Sequence, residues 1–443
     1  MAIKLSDRFT YKRLLKFTLP SIVMMIFTSV YGVVDGFFVS NYAGKVPFAA
    51  VNLIMPFIMI MSDFGFIFGT GGSALVGKLM GEGNREKANK VFSLIVYTVI
   101  SVGALFTVIG LIAMEKVAVF LGADEEMLDY CVTYGRIVMV STIPFMLQTS
   151  FQSFMVTAER PRMGLAITVV AGVTNMVLDF LFVGVFKWGV VGAAWATVTS
   201  EYIGGLTPLI YFLRPNDSPL RLGKTEWDGG ALLQTCWNGS SEFVSNMSRS
   251  LVNMLYNFQL MKYAGSTGVA AYGVIMYVNF IFISIFIGYA IGVAPVVSFN
   301  YGAENHNEMK SLFRKSLRLI AIFAVTMTAV GQLLARPIAG IFVGYDEELM
   351  QMTISAFRIY AMMYLVSGFN INGSAFFTAL NNGKVSAIIS FLRTLVFQSA
   401  SVMLLPLVFG VTGIWCAVIV AELMAITVTT VYIIKMKDVY HYM

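Results

Sequence analysis

Long apolar runs alternate with short polar connections along the whole chain. Twelve runs stand out, at about residues 14–40, 47–77, 91–114, 131–157, 164–186, 189–213, 231–262, 268–298, 312–335, 349–378, 385–409 and 411–434. Each can cross a hydrocarbon core of about 30 Å, which takes around 20 helical residues. Strands of a membrane barrel would be about ten residues long with alternating polarity, so the runs predict helices. The expected fold class is an all-α polytopic membrane protein with twelve transmembrane helices.

The runs fall into two sets of six. The longest polar connection, from Arg214 to Gly230, holds the turn formers Pro215, Asn216, Asp217, Ser218 and Pro219. It predicts an N-terminal lobe (1–213), a linker (214–230) and a C-terminal lobe (231–443). The lobes repeat each other. At an offset of 221 residues, Tyr42-Ala43-Gly44 recurs as Tyr263-Ala264-Gly265, Gly81 as Gly302, Asn84 as Asn305, Gly189 as Gly410 and Glu201 as Glu422. Near the fourth run the offset becomes 222, pairing Gly122, Asp124-Glu125-Glu126 and Arg136 with Gly344, Asp346-Glu347-Glu348 and Arg358. Chance identities would scatter over many offsets. Six spans per repeat keep both lobes in one orientation, so the predicted plan is two six-helix bundles in a parallel repeat, with a substrate route between them. Duplication without transport is the bland competitor. Intramembrane acids in a two-lobed bundle favour a route.

Composition agrees. The chain is 58% hydrophobic and 12% charged, with mean hydropathy +0.77, against about 25% charged residues in soluble domains. Its net charge of +6 lies mostly in connections at one end of the spans; the opposite connections hold only Lys45, Lys116, Lys187, Lys262 and Arg336. That bias places both termini in the cytoplasm of a multi-pass cell-membrane protein and speaks against nucleic-acid binding. Three scattered cysteines and the histidines His306 and His441 leave no disulfide framework, zinc site or His-based active site. Gly81-Glu82-Gly83-Asn84 lacks the phosphate-loop pattern, so no nucleotide is expected. The basic start, Lys4 to Lys16, runs into a span too long for a cleavable signal.

Four places give the chain a further likeness. Leu19-Pro20 precedes Asp35 in the first span. Gly71-Gly72-Ser73-Ala74 and Gly81-Glu82-Gly83-Asn84 end the second, Asn175-Met176-Val177-Leu178-Asp179 lies in the fifth, and Pro295 with Asn300-Tyr301-Gly302-Ala303 closes the eighth. With the duplicated plan, this order resembles the multidrug and toxic compound extrusion (MATE) family, in its DinF/MepA-like branch. The resemblance implies an antiporter that expels organic, often cationic, compounds against inward H⁺ or Na⁺, with a central cavity between two bundles. It places a coupling site on Asp35, Asn175, Asp179 and Thr197, a set that would also serve Na⁺, and implies no cofactor and no other metal.

The residues bear on this independently. A carboxylate at a helix centre costs about 2.5–3.5 kcal/mol, so Asp35 needs a partner or a purpose. Asn175 and Asp179 share a helix face that Thr168 and Gly172 extend; Thr197 and Glu201 have the same spacing. Paired carboxylates in low dielectric resist joint ionisation and can hold a proton, and amide and hydroxyl oxygens beside them suit Na⁺. At offset 221, Asp35, Asn175, Asp179 and Thr197 map to Tyr256, Val396, Ala400 and Val418. Structural glue should appear in both lobes; a coupling site need appear in one. Glu201 and Glu422 are retained in both, which suits a structural role, with Arg393 a candidate partner. Glu242, Asn246, Ser250, Asn253 and Asn257 form a polar stripe on the seventh span, read as a cavity wall. Packing, with Arg249 as counter-ion of Glu242, is the equal alternative. Asp63 and Glu201 are further cavity candidates, and Pro20 a hinge.

The sequence therefore predicts a monomeric, secondary-active antiporter for small organic cations in a lipid bilayer, coupled to H⁺ or Na⁺ and not an enzyme. The alternative is a lipid-linked precursor flippase or metabolite exporter of the same plan, kept open by Arg249 and Arg393.

Overall fold

The computed structural model describes residues 3–443, the side chains of Ser40 and Lys45 excepted, and has no strand among the described residues. Among the described residues, twelve helices follow in order. The first six are α1 (Tyr11–Ala43), α2 (Val46–Gly81), α3 (Arg85–Phe120), α4 (Glu125–Met139 with Thr142–Thr157), α5 (Pro161–Val185) and α6 (Gly189–Leu213). After the linker come α7 (229–264) and α8 (266–302), which form one 74-residue run broken at Gly265. The last are α9 (His306–Val343), α10 (Glu347–Ala361 with Tyr364–Ala379), α11 (383–409) and α12 (411–440). The two six-helix bundles of the sequence repeat are present.

The repeated residues do the same structural work in both lobes. Asn84 and Asn305 cap α3 and α9 by accepting from the N–H of Lys87 (3.1 Å) and Glu308 (3.2 Å). Asp124 and Asp346 cap α4 and α10 by accepting from Met127 (2.8 Å) and Leu349 (3.1 Å). The chain reverses at Gly44 and Gly265 (φ +103° and +62°) and at Gly189 and Gly410 (+57° and +55°). That left-handed region favours glycine, so these identities survived duplication.

Two runs differ from expectation. The fourth and tenth, read as single spans at 131–157 and 349–378, begin earlier and bend by 57° and 48°. In α4 the cause is Pro144, which has no N–H for the Val140 carbonyl; the Tyr202 hydroxyl donates to that oxygen instead (3.3 Å). In α10 the chain tightens, with Met362 and Met363 N–H donating to the carbonyls of Ile359 and Tyr360 three residues back. The third span also reaches from Arg85 to Phe120, beyond the 91–114 of the sequence reading, because polar residues continue the helix past the apolar window.

The lobes meet at the basic end. There α2 crosses α8 so closely that a Cβ on Gly81 would sit 2.0 Å from the Phe299 carbonyl oxygen, and one on Gly302 2.0 Å from that of Lys78. A second crossing, α2 on α7, uses Gly71 and Gly239 in the same way. One buried cluster at that end holds residues of both lobes, among them Val76 and Val297, whereas the clusters farther out each belong to one lobe, around Ile54 in the first and Ile275 in the second. The lobes are thus sealed at the basic end and part toward the other. The segment before α1 straps this seal. Leu5 and Phe9 are fully buried. Their N–H groups donate to Glu159 of the first lobe (2.7 Å) and Glu308 of the second (2.9 Å).

Candidate functional site

The first lobe gathers its acids in one place. Asp179 is the last residue of the regular part of α5, directly before a π-helical stretch, Phe180–Val185. Such stretches often mark functional positions. Asp179 is fully buried and Asn175, one turn earlier, nearly so. Thr168 and Gly172 complete the buried face. Asp35 comes from α1, half-buried, with its carboxyl beside that of Asp179. Both oxygens of Asp179, one of Asp35 and the side-chain oxygen of Asn175 are buried with no donor. An unsatisfied buried acceptor costs about 1–3 kcal/mol. Here four occur on the packed helices α1 and α5, all oxygen, the donor type that suits a hard cation or a shared proton.

Around them the structure adds groups that the sequence did not single out. The Tyr31 hydroxyl, one turn before Asp35, lies near Gln148 of α4. Tyr134 of α4 lies near Thr197 and is buried beside the acids. Glu201 is buried near Asp35 and accepts from the Ser141 hydroxyl at the bend of α4. The α4 partners could have been sought in Gln148 and Gln152, two amides in an otherwise apolar span.

The second lobe resolves its glutamate differently. Glu422 of α12 is held by Arg393 of α11, with Nη2–Oε1 at 2.8 Å and Nε to both oxygens at 2.9 and 3.0 Å. Asn370 donates to the same carboxylate (2.7 Å), and Thr429 donates to Asn370 (2.9 Å). The position matching Arg393 at offset 221 is Gly172, where a Cβ would already press on the Phe27 and Tyr31 rings at 2.5 and 2.9 Å. The first lobe has no room for the arginine that neutralises the second.

Removing one member of a buried pair costs about 3–5 kcal/mol, because it strands the other charge. Arg393→Gln is therefore expected to lower the unfolding temperature of the detergent-purified protein, and Arg393→Gln/Glu422→Gln to recover most of the loss. A double variant as unstable as the single one would show that the pair is not the relevant contact.

A cavity of about 170 Å³ lies mainly in the second lobe, with Phe66, Thr70, Ser73 and Ser153 of the first on one side. Its wall includes Glu242, Arg249, Asn253, Tyr360, Arg393 and Glu422. Asn253 accepts from the Tyr272 hydroxyl (2.8 Å). Asp63 of α2 and Asn246 of α7 lie near each other across the lobes but outside the cavity lining, contrary to the expectation that both form its wall, because their side chains face the α2–α7 contact. Asn257 is exposed and lies outside the lining; Glu201 belongs to the first-lobe cluster. Arg249 forms no ion pair with Glu242 within 4.0 Å. Pro20 is buried in α1, which stays helical across it. Among the described residues, no group of three His, Cys, Asp or Glu could hold a metal.

Known proteins resemble the chain and its fold. A family model described as MatE matches residues 20–181 and 243–403, one segment in each lobe. The multidrug export protein MepA of Staphylococcus saprophyticus is 23% identical over 430 residues, covering 97% of this chain and 94% of that protein. MepA of Staphylococcus haemolyticus is 25% identical over 414 residues, covering 93% and 90%. Among solved structures, an outward-facing multidrug resistance MATE family transporter of the MOP superfamily superposes with TM-score 0.92 at 21% identity, covering 98% of both chains. A MOP superfamily transporter from Pyrococcus furiosus, described as having a binding pocket of reverse polarity, superposes with TM-score 0.88 at 22% identity, covering 96% and 95%.

Proposed function

We propose that this chain, which belongs to the MatE family, exports small organic compounds, cations among them, in exchange for H⁺ or Na⁺. The observation that carries the reading is the set of donorless oxygens on Asp35, Asp179 and Asn175, confined to one lobe of a duplicated bundle. A cation bound there from outside neutralises the pair. Ion and substrate then favour different arrangements of the lobes, and each drives the other's release on the opposite side. The sealed basic end is the cytoplasmic side by the excess of Lys and Arg in its loops, with both termini there. Hence the described arrangement faces outward. One chain supplies both lobes and the acids, so the transporting unit is a monomer in the cell membrane. Names of relatives as multidrug export proteins support the direction and the breadth of substrates.

A flippase or anion exporter is the second reading, favoured by the Arg249 side chain in the cavity wall. The acids of the first lobe weigh against it as the main activity.

Expression in a host stripped of its own efflux pumps is expected to lower steady-state ethidium accumulation, and collapse of the proton and sodium gradients together to restore it. Accumulation equal to that of the empty-vector host would contradict export.

A further inference from the structure

The second-lobe cavity has a feature that cation export does not use. Arg249 lies deep in α7, between the two lobes, yet its side chain is exposed to the cavity. No carboxylate oxygen lies within 4.0 Å of it among the described residues. Its guanidinium carbon stands 6.0 Å from the centre of the Phe280 ring. Asp63 and Glu242 are near enough to act on it through space but do not close on it.

Arg393, in the same cavity wall, shows what a structural arginine looks like here: its donors are engaged by both oxygens of Glu422. A charge inside a membrane protein is costly unless paired or facing a wet cavity. Arg249 takes the second course, and its position matches Thr28 in the first lobe, so duplication did not supply it.

We infer that Arg249 is a carboxylate-binding subsite, the residue through which the transporter holds substrates that carry a free carboxylate beside their positive charge. This rests on the export reading and narrows its substrate class. Five N–H donors in a planar fork match the two oxygens of a carboxylate, which a lysine would hold only as a point charge. Phe280 supports the fork by cation–π contact. Phe280, 44% exposed in the same wall, also offers aromatic surface to a ring system. Glu242 answers the positive end of the same molecule. A substrate with both charges leaves neither Glu242 nor Arg249 unsatisfied, whereas a simple cation engages only the acid.

The test is equilibrium binding of two dyes to the purified full-length protein in detergent micelles, read by fluorescence anisotropy. One dye is a rhodamine with a free benzoate; the other is its methyl ester, a simple cation of nearly the same shape. Wild type is expected to bind both. Arg249→Gln is expected to weaken the free-acid dye by about tenfold or more, the worth of a charged bidentate contact, and the ester far less. Arg249→Lys keeps the charge and loses the fork, so it should weaken the free-acid dye several-fold; it carries the test should the glutamine variant not fold. Equal loss of both dyes, or free-acid binding that ignores both substitutions, overturns the subsite and leaves export standing. Wild-type binding of the ester alone does the same. Failure of wild type to bind either dye overturns the subsite and the multidrug reading together.

Discussion

Asp35→Asn and Asp179→Asn are each expected to reduce ethidium efflux to the empty-vector level while leaving the protein in the membrane at wild-type abundance. An amide keeps the volume of the carboxyl but brings donors where the site has only acceptors. In either variant the amide can satisfy the facing acid, and the pair no longer depends on a cation. The transport cycle then loses the step in which an ion's arrival changes the preferred arrangement of the lobes. Because the facing oxygens of Asp35 and Asp179 have no protein donor, neither change breaks an existing hydrogen bond, and folding should survive. Efflux is read by dye accumulation and abundance by fluorescence-detected size exclusion. Normal efflux by either variant would remove that residue from coupling; loss of the protein from the membrane would assign it to structure.

Gly81→Val is expected to have the second large effect. The crossing of α2 and α8 brings the Phe299 carbonyl to 2.0 Å from a Cβ at this position, and backbone cannot yield as a flexible side chain does. The sealed arrangement of the basic end should open, and with it the outward-facing state should be depopulated. A cysteine at Ser298, fully buried beside this crossing with its hydroxyl on the Ala379 carbonyl (2.8 Å), reports the change. In a background with Cys131, Cys236 and Cys416 replaced, its alkylation should be slow alone and fast together with Gly81→Val. Gly340→Ala, where a Cβ meets nothing within 4 Å, is the control. Unchanged alkylation in the Gly81 variant would mean that the crossing does not hold the seal.

Much of this architecture was legible in the chain because its physics is local. Run length against bilayer thickness gave twelve helices. The offsets gave two lobes, and the residues that repeat proved to be those the backbone needs twice: the caps Asn84 and Asn305, the turns Gly44 and Gly265, and the crossing Gly81 and Gly302. The first-lobe acids were visible as polar residues in apolar helices and as absentees from the second lobe. What escaped depends on contacts between helices. Tyr31 reads as one more apolar neighbour of Asp35 until α4 brings Gln148 to its hydroxyl. Thr197 shares a spacing with Glu201, yet it lies near Tyr134 of α4. The bend of α4 needed Tyr202 of α6 to complete it. Arg249 and Arg393 look alike in sequence, one arginine in an apolar span each, and only packing separates the paired one from the one left open to the cavity.

The central claim is that a cation gradient, sensed at Asp35 and Asp179, drives export. Its most direct test is cationic-dye transport in proteoliposomes with a pH gradient and a sodium gradient imposed separately, for wild type and for Asp35→Asn/Asp179→Asn. Wild type is expected to move the dye uphill under at least one gradient, and the double variant under neither. Wild-type transport that stops at equilibrium under both gradients, or uphill transport that persists in the double variant, would contradict it.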